Sequence, residues 1–385
     1  MAKIDDSVKK KVPELRFPGF TDDWEERKLS DIVVRLTKSS NNNQLPKVEF
    51  EDIIAGEGRL NKDISRKFDD RKGTLFEPDN ILYGKLRPYL KNWLFSDFKG
   101  IALGDFWVFK SKNSEPKFVY SLIQADNYQR VANDTSGTKM PRSDWKKVSS
   151  SNFSIPTSLE EQQKIGSFFK QLDNTIALHQ RKLDLLKEQK KGYLQKMFPK
   201  NGAKVPELRF AGFADDWEER KLSDIVVRLT KSSNNNQLPK VEFEDIIAGE
   251  GRLNKDISRK FDDRKGTLFE PDNILYGKLR PYLKNWLFSD FKGIALGDFW
   301  VFKSKNSEPK FVYSLIQADN YQRVANDTSG TKMPRSDWKK VSSSNFSIPT
   351  SLEEQQKIGS FFKQLDNTIA LHQRKLDLLK EQKKG

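Results

Sequence analysis

Cysteine is absent from this sequence, and histidine occurs only twice, at His179 and His372. The absence of thiols excludes disulfide frameworks, thiolate metal sites and cysteine nucleophiles. Two imidazoles are too few for a zinc site that is built mainly from histidine. No apolar run approaches the roughly 20 residues that a membrane-spanning helix needs, and the first residues lack the apolar core of a signal peptide. We therefore expect a cytoplasmic protein without a membrane partner.

Motifs for catalysis are also absent. The sequence has no Gly-x-x-x-x-Gly-Lys-Ser/Thr loop and no Gly-x-Gly-x-x-Gly turn, so neither common phosphate-binding loop is present. It also lacks the Asn- or Asp-Pro-Pro-aromatic signature of amino methyltransferases. The acidic pair Glu77 and Asp79 is followed by no Glu-x-Lys or Asp-x-Lys at a suitable spacing, which favours a turn over a nuclease site. We therefore expect a chain that is not itself an enzyme and binds no cofactor.

Positive charge is what the sequence has in excess. It contains 69 Lys and Arg against 54 Asp and Glu, which gives a net charge of +15 at pH 7. A balance of this sign favours a polyanionic partner, most often nucleic acid. The 27 Phe and 8 Trp supply the large apolar side chains that a core needs.

An internal repeat accounts for nearly the whole chain. Residues 11–192 recur as residues 204–385, and the two copies differ only where Pro18 becomes Ala211 and Thr21 becomes Ala214. Each copy has a net charge of +6. A repeat this long is a domain-sized unit and not a solenoid repeat. The two copies must fold alike, so we expect a pseudo-twofold molecule or a tandem array.

The first part of each copy is predicted to be a globular domain of mixed secondary structure. The spacing of apolar residues predicts a short helix at residues 23–34 and a second helix that begins near Ser114. Strands are predicted at residues 48–54, 80–83, 101–109 and 152–155. The Gly-, Ser- and Thr-rich residues 133–142 are predicted to form a loop.

A long helix is predicted to follow the globular part. Either Ser158 with Glu161 or Thr157 with Glu160 can form a capping box at its start, and Pro199 ends it. From residue 158 to residue 198 it would be roughly 60 Å long. Apolar residues recur along it at alternating steps of four and three, the heptad seam of a coiled coil. The seam residues are Ile165, Phe169, Leu172, Ile176, His179, Leu183 and Leu186 in the first copy, and Ile358, Phe362, Leu365, Ile369, His372, Leu376 and Leu379 in the second.

Two surfaces are available for this seam to pack on. Each helix could lie on its own globular part, or the two helices could pack on each other, and the length of the pattern favours the second. A short joint between the first helix and the second globular part lets the helices run antiparallel. For the seam histidines, packing is favoured over metal ligation or a partner contact. The predicted fold is therefore α+β, a pseudo-twofold internal repeat of two mixed α/β globular domains (residues 1–155 and 204–348) separated by two long helices (residues 156–203 with the joint, and 349–385) that form an antiparallel coiled coil.

Three basic or polar segments in each copy are candidates for nucleic-acid contact. Around Pro88, cations and a tyrosine alternate with apolar anchors, which would present them on one face to phosphates or base edges; an edge strand is the alternative. A Gly-containing loop suits close approach to phosphates, and the Asn- and Gln-rich residues 35–44 could read adenine edges; ordinary surface loops are the alternative for both. The candidate residues are Lys85, Arg87, Tyr89, Lys91, then Thr135, Ser136, Gly137, Thr138, Lys139, Arg142, then Lys38, with their equivalents Lys278, Arg280, Tyr282, Lys284, Thr328, Ser329, Gly330, Thr331, Lys332, Arg335 and Lys231.

Several stretches in each copy match a known pattern when they are taken together. They are VPELRFPGF at residues 12–20, KLRPYL at residues 85–90, the Ser-Gly-Thr loop at residues 136–138, EQQKIG at residues 161–166 and LDNTI at residues 172–176. With a globular part and a capped helix occurring twice, the chain resembles the DNA specificity subunit of type I restriction–modification systems over nearly its whole length.

This resemblance implies that each globular part is a target recognition domain that reads a few base pairs of double-stranded DNA. It also implies that the two helices form an antiparallel coiled coil that fixes the distance between the half-sites. Two modification subunits would dock on this scaffold and carry the S-adenosylmethionine and the adenine methylation. Restriction subunits, where present, would add cleavage driven by ATP with Mg²⁺, and the specificity chain itself would do no chemistry.

The sequence departs from the usual pattern of that family in two ways. Its two recognition domains are the same, so we expect them to read the same half-site in inverted orientation, as an interrupted palindrome. The second long helix stops at Gly385, whereas the first continues for several residues beyond the equivalent Gly192. Docking at that end is then expected to be weaker, or the chain to be truncated. The main alternative to this function is a tandem basic adaptor that binds RNA or a protein and dimerises through the coiled coil.

Overall fold

A computed structural model describes residues 13–67, 70–135, 139–200, 202–260, 263–328 and 332–384. The chain divides into two compact units: unit 1 comprises residues 1–178 and 379–385, and unit 2 comprises residues 179–378. Each unit contains one globular part and segments of both long helices. The division between the units passes through the long helices. It does not test the predicted domain boundaries, which therefore stay predictions.

Unit 1 contains the elements of the first copy. In chain order they are β1 (Glu25–Lys28), α1 (Leu29–Ile32), β2 (Val33–Leu36), β3 (Ser39–Ser40), β4 (Lys47–Val48), β5 (Ile53–Ile54), β6 (Arg59–Leu60), β7 (Gly73–Phe76), β8 (Ile81–Gly84), β9 (Trp93–Phe95), β10 (Gly100–Ala102), β11 (Phe106–Ser111), α2 (Pro116–Leu122), α3 (Asp126–Ala132), α4 (Trp145–Ser150), β12 (Asn152–Ile155) and α5 (Leu159–Lys196), whose second half belongs to unit 2. One-turn 3-10 helices lie at Phe50–Asp52 and Pro88–Leu90.

An antiparallel sheet of strand order β2-β11-β8-β9 forms the centre of unit 1. Both of its faces are buried. In β11, Trp107 and Phe109 belong to an apolar cluster with α2, α3 and α4, whereas Phe106 and Val108 face a cluster under a second sheet of order β3-β7-β10-β4. Strands that are buried on both faces have nearly continuous apolar sequences, which is why this part of the chain was predictable as strand.

Unit 2 repeats this architecture with the second copy. Its elements are β13 (Glu218–Lys221), α6 (Leu222–Ile225), β14 (Val226–Leu229), β15 (Ser232–Ser233), β16 (Lys240–Val241), β17 (Ile246–Ile247), β18 (Arg252–Leu253), β19 (Gly266–Phe269), β20 (Ile274–Gly277), β21 (Trp286–Phe288), β22 (Gly293–Ala295), β23 (Phe299–Ser304), α7 (Pro309–Leu315), α8 (Asp319–Ala325), α9 (Trp338–Ser343), β24 (Asn345–Ile348) and α10 (Leu352–Lys384). The last residues of α10 belong to unit 1.

The helix predicted at residues 23–34 is wrong for most of its length. Only the single turn α1 is helical, and it lies between β1, which pairs with β12, and β2, which pairs with β11. These strand partners are distant in sequence, so tertiary pairing overrides the local apolar spacing.

Two predicted strands are interrupted. Residues 48–54 contain the 3-10 turn at Phe50–Asp52, where Glu49 and Asp52 exchange side-chain to backbone hydrogen bonds. Residues 101–109 are two strands, β10 and β11, because Gly104 turns the chain at a φ of 85°, a conformation that glycine adopts without strain. The strands at residues 80–83 and 152–155 are confirmed as β8 and β12. The helix start near Ser114 is confirmed by α2, in which the Glu115 carboxylate accepts a hydrogen bond from Phe118 N at 2.8 Å.

The predicted long helix is confirmed as α5, which is 38 residues long. The Glu161 N–H donates to Ser158 Oγ at 3.3 Å, so Ser158 provides the cap and Thr157 does not. The first turns pack on their own globular part, because Gln162 bonds Ser114 and the backbone of Glu115. A Cβ on Gly166 would lie only 2.4 Å from the backbone nitrogen of Phe118, so α5 approaches α2 as closely as a glycine permits.

Within unit 2, the second half of α5 runs antiparallel to α10. The rings of His179 and His372 lie 5.7 Å apart, the Lys190 ammonium lies 2.6 Å from the Asp366 carboxylate, and the rings of Tyr193 and Phe361 lie 5.1 Å apart. As the residue number rises along α5, the number of its partner falls along α10. Both surfaces considered for the seam are therefore used: its first positions, such as Ile358, join the core of the globular part, and later ones pair the helices.

Candidate nucleic-acid interface

The segment after β8 forms a tight basic turn and not the predicted alternating strand. Arg87 and Lys91 flank the 3-10 turn at Pro88–Leu90, and both have left-handed backbone conformations, with φ values of 48° and 57°. Such a conformation costs free energy at a residue with a side chain and is concentrated at functional sites. Pro88 is buried and anchors the turn, whereas Arg87, Tyr89 and Lys91 are exposed. The exposed side chains Arg87, Tyr89 and Lys91 do share one surface, as predicted. However, a turn places them there, and not the alternation of side chains along a strand.

Two of the segments predicted for nucleic-acid contact are brought together by the fold. The Arg87 N–H donates to Pro141 O at 2.7 Å, the Ser143 N–H donates to Lys85 O at 2.9 Å, and Leu86 forms a β-bridge with Arg142. Lys139 and Met140 are exposed beside the turn. We call these exposed residues the basic edge: Arg87, Tyr89, Lys91, Lys139 and Met140 in unit 1, and Arg280, Tyr282, Lys284, Lys332 and Met333 in unit 2.

Asp105 divides the cations of this region into two groups. Its carboxylate lies 3.5 Å from the Lys85 ammonium and 3.1 Å from the Arg142 guanidinium, which ties the two segments together and neutralises part of their charge. By contrast, within the described ranges no carboxylate pairs with Arg87, Lys91 or Lys139. The free positive charge of the basic edge is therefore concentrated at these last residues.

A rigid aromatic core supports the turn. Tyr83, the residue before the end of β8, stacks on Trp107 at 5.9 Å and meets Tyr128 of α3 edge-on at 5.4 Å, and α3 contacts the turn. Burial raises the pKa of Tyr83 to about 12, and the nearby polar side chains of Ser143 and Gln129 only partly offset this rise. The hydroxyl therefore stays protonated at neutral pH and belongs to the support of the site.

The remaining predicted residues lie elsewhere or are not described. Thr135 is half-buried and bonds the backbone of Asn133. Lys38 is exposed between β2 and β3, and the Asn42 amide oxygen nearby accepts from Gln44 N at 2.9 Å, which occupies part of its hydrogen-bonding capacity. Lys231 has the same place in unit 2, and Thr328 resembles Thr135. Ser136, Gly137, Thr138, Ser329, Gly330 and Thr331 lie outside the described residues.

The sequence did not predict that Leu90 and Met140 are exposed on this surface, and it did not predict the role of Asp105. Leu90 is 42% exposed and Met140 is 49% exposed. The Gly104-Asp105 turn signal marks the position of Asp105, but nothing local identifies its two cationic partners.

The contacts between the long helices repeat with the two copies exchanged. In unit 2, the Lys190 ammonium binds the Asp366 carboxylate at 2.6 Å and Gln317 Oε1 at 2.6 Å. In unit 1, the equivalent Lys383 binds Asp173 at 2.5 Å and Gln124 at 2.8 Å. Burial raises the pKa of both aspartates, and the neighbouring lysines oppose that rise.

The seam histidines show no arrangement of ligands. The ring nitrogen Nδ1 of His372 is buried without a hydrogen-bond partner among the described residues. In the part of the chain that the structure describes, no three His, Asp or Glu residues cluster in a way that could hold a metal ion. None of the described helices has the length and hydropathy of a membrane span.

Comparison with known proteins gives a consistent result. The family model of the type I restriction modification DNA specificity domain matches residues 21–188 and again residues 214–381. The type I restriction enzyme MjaVIII specificity subunit of Methanocaldococcus jannaschii is 24% identical over 323 residues, which cover 76% of this chain and 73% of that protein.

Solved structures share the fold at low sequence identity. The type I restriction–modification S subunit from M. genitalium superposes with a TM-score of 0.64 at 13% identity, covering 97% of this chain and 96% of that one. A chain from a study of complex assembly and conformational transition in a type I restriction–modification system gives a TM-score of 0.50 at 16% identity, covering 97% of each chain.

Proposed function

This chain belongs to the family of type I restriction modification DNA specificity domains, and we propose that its two copies read the same short DNA sequence in opposite orientations. A specificity chain of this family recognises DNA and carries no catalytic site of its own. Its partners are DNA and modification methyltransferase subunits. The alternative of an adaptor for RNA or protein is set aside, because the matching family model describes DNA specificity.

The proposal rests on the contacts between the long helices, which occur twice with the roles of the two copies exchanged. Lys190 of the first copy binds Asp366 of the second, and Lys383 of the second binds Asp173 of the first. Contacts in which i meets j and j meets i are the mark of a twofold interface. Two identical readers that obey the same exchange would present the same surface to antiparallel strands, and their targets would then form an inverted repeat.

We assign DNA contact first to the basic edge. Arg87, Lys91 and Lys139 can bind phosphates, because no described carboxylate neutralises them, and Tyr89 adds an exposed ring that can pack against sugar or base. The strained conformations of Arg87 and Lys91 fix the direction in which these side chains leave the turn. Lys85 and Arg142, which share Asp105, are assigned a supporting role. Lys38, Thr135 and residues 136–138, with Lys231, Thr328 and residues 329–331, remain predicted contacts.

The twofold relation also suggests the stoichiometry of the complex. Two equivalent helix pairs would offer two equivalent docking places, one for each of two modification subunits. Those subunits would supply S-adenosylmethionine, and restriction subunits, where present, would supply ATP with Mg²⁺. Residues 1–155 and 204–348 would act as recognition domains and the helices as the spacer. Because the target is DNA, we place the complex in the cytoplasm.

The same pair of substitutions, made separately in each copy, tests whether the basic edge contacts DNA. Arg87→Ala with Lys91→Ala removes two cations from one edge, and Arg280→Ala with Lys284→Ala removes the equivalent pair. Each variant, assembled with its modification subunits, should bind its DNA site roughly 10-fold more weakly and show a shallower dependence of affinity on salt. Arg87→Ala with Arg280→Ala should weaken both halves. Equal losses support two readers with the same task.

The control is Lys99→Ala, which removes an exposed cation that pairs with Glu77 at 2.7 Å away from the basic edge. If both edge variants bind as tightly as this control, the basic edge does not face DNA. If only one edge variant loses affinity, the two copies do different tasks and the inverted-repeat proposal fails.

A further inference from the structure

A buried lysine holds the Asn-rich loop in each copy. Lys47 is 0% exposed, and its ammonium donates hydrogen bonds to Asn42 O and, at 3.5 Å, to Leu45 O. Lys240 makes the equivalent contacts in unit 2. Among the residues that the structure describes, no carboxylate pairs with either lysine. A buried ammonium without an anionic partner costs free energy, so stability alone does not account for this residue.

The loop that is held in this way contains a tight turn with two amide side chains at its centre. Leu45 N donates to Asn42 O at 3.3 Å, so Asn43 and Gln44 occupy the central positions of the turn. Asn42 builds the loop itself, because its N–H donates to Ser40 Oγ at 3.2 Å and its amide oxygen accepts from Gln44 N at 2.9 Å. The side chains of Asn43 and Gln44 are exposed, and within the described ranges their amide groups make no hydrogen bond. These two amides are therefore available to a partner.

The Asn-rich loop leaves unit 1 at the same end as the basic edge. The loop follows β3, whose last residue Ser40 pairs with Gly73 at the start of β7. A Cβ on Gly73 would lie 2.4 Å from Ala102 O, so the end of β10 is there too. Residues 103–105 then lead into β11, whose first residue Phe106 pairs with Gly84, the last residue of β8 before the basic edge. Strands β3, β8 and β10 thus end on one side, and the loop and the basic edge can face the same DNA.

We propose that Lys47 is a positioning residue that holds the amides of Asn43 and Gln44 for the reading of adenine in the major groove, and that the equivalent residues of unit 2 do the same. A side-chain amide can accept from adenine N6 and donate to adenine N7 as a bidentate pair. The pair gains most when the amide is held in place before binding. Lys47 provides this, because it bonds Asn42 O, the carbonyl that closes the turn. The inference rests on the proposed function and adds the residues that identify a base.

Base replacement in the DNA site tests the two amides in the assembled complex. The probe is the site that methylation mapping gives for the parent chain, in a panel of duplexes with each base pair replaced in turn. For the parent chain, replacing at least one A·T pair in each half-site by G·C should lower affinity about 10-fold or more. Asn43→Ala and Gln44→Ala, combined with Asn236→Ala and Gln237→Ala, should reduce that ratio to about 2-fold and leave the ratios at the other pairs unchanged.

The lysine is tested by Lys47→Met combined with Lys240→Met, which keeps the length of the side chain and removes the ammonium. Because an apolar side chain of similar volume suits a buried position, the melting temperature should fall by no more than about 2 °C. The ratio at the same A·T pair should still drop to about 2-fold, because the turn is no longer fixed. If the folded complex keeps the ratio of the parent chain, the positioning role is refuted, whatever the melting temperature.

The matched control is Asn174→Ala with Asn367→Ala, which removes exposed amides from the long helices and should change no ratio. An equal loss of affinity for every duplex in the panel would show that the loop contacts the DNA backbone, and it would overturn the reading of adenine. If the loop variants keep every ratio of the parent chain, this inference is wrong and the proposed function stands. If the parent chain itself prefers no DNA site, the proposed function fails, and this inference fails with it.

Discussion

Glu161 is the residue that locks the amino-terminal segment of unit 1 to the long helix. Its carboxylate is 1% exposed, accepts two hydrogen bonds from Arg16 at 2.7 and 2.8 Å, and accepts a third from Trp24 Nε1 at 3.3 Å. Glu354 repeats this lock with Arg209 and Trp217. The sequence predicted Glu161 as half of a capping box, but a partner so distant in sequence could not be predicted from local spacing.

Glu161→Gln should destabilise unit 1, because it leaves a nearly buried guanidinium without its charged partner. We expect a loss of about 3 kcal/mol in the free energy of unfolding, measured by chemical denaturation. The matched control is Glu160→Gln, which removes an exposed carboxylate that pairs with Lys164 one turn away and should cost less than about 0.5 kcal/mol. If the two variants lose the same free energy of unfolding, the contacts of Glu161 with Arg16 and Trp24 do not stabilise unit 1.

Asp52 makes part of the free energy of unfolding depend on pH in the acidic range. Burial opposes its ionisation, but the hydrogen bond from Lys67 and the ion pair with Lys62 outweigh that effect and lower its pKa below the ordinary 3.8. Asp245 is the equivalent residue and behaves in the same way. A carboxyl with a lowered folded-state pKa adds stability above its unfolded pKa, and this stability is lost as the pH falls through the folded value.

Asp52→Asn with Asp245→Asn should therefore lower the free energy of unfolding at pH 7 by about 2 kcal/mol for each site. The gap between this variant and the parent chain should close as the pH falls below about 4. Denaturation curves from pH 7 to pH 2.5 measure it, with the exposed Asp97→Asn as control. A gap that stays constant with pH would contradict the assignment.

At the scale of elements, the sequence predicted what is determined locally. The heptad spacing and the Ser158 cap are encoded in neighbouring residues, so the bounds of α5 were predicted to within a few residues. The strands β1 and β2 were missed, because their partners β12 and β11 are far away in the chain. The basic turn was missed for another reason: left-handed conformations at Arg87 and Lys91 have no composition signal, since glycine or asparagine is usual there.

The histidine pair should make the helix pairing of unit 2 sensitive to pH. Burial lowers the pKa of His179, and the nearby charges of Lys375 and His372 lower it further. The folded state then binds fewer protons than the unfolded chain below pH 6.5, so stability should fall as the pH drops through that range.

Replacing both histidines by leucine should remove this dependence. Leucine suits the apolar seam, so we expect His179→Leu with His372→Leu to raise the melting temperature by a few degrees at pH 5.5 and less at pH 8. Asn174→Leu with Asn367→Leu, on the exposed face of the helices, is the control. The same difference between pH 8 and pH 5.5 in the histidine variant and the parent chain would rule out this role.

At the scale of the whole molecule, the repeat was the most informative feature of the sequence. It predicted two like units, and the division of the net charge into +6 for each copy follows from it. The short joint between the copies predicted antiparallel helices, but the repeat could not show which residues of the two helices meet. The pairs Lys190 with Asp366 in unit 2 and Lys383 with Asp173 in unit 1 are the same contact with the two copies exchanged, and the inverted-repeat proposal rests on this equivalence.

Mapping of methylated bases in the DNA of cells that carry this chain and its modification subunit tests the central claim most directly. Two identical readers related by a twofold axis should give one interrupted motif whose halves are the same sequence in inverted orientation, with methylation on both strands at equivalent positions. A motif with two unrelated halves, or with two halves in direct repeat, would contradict the account.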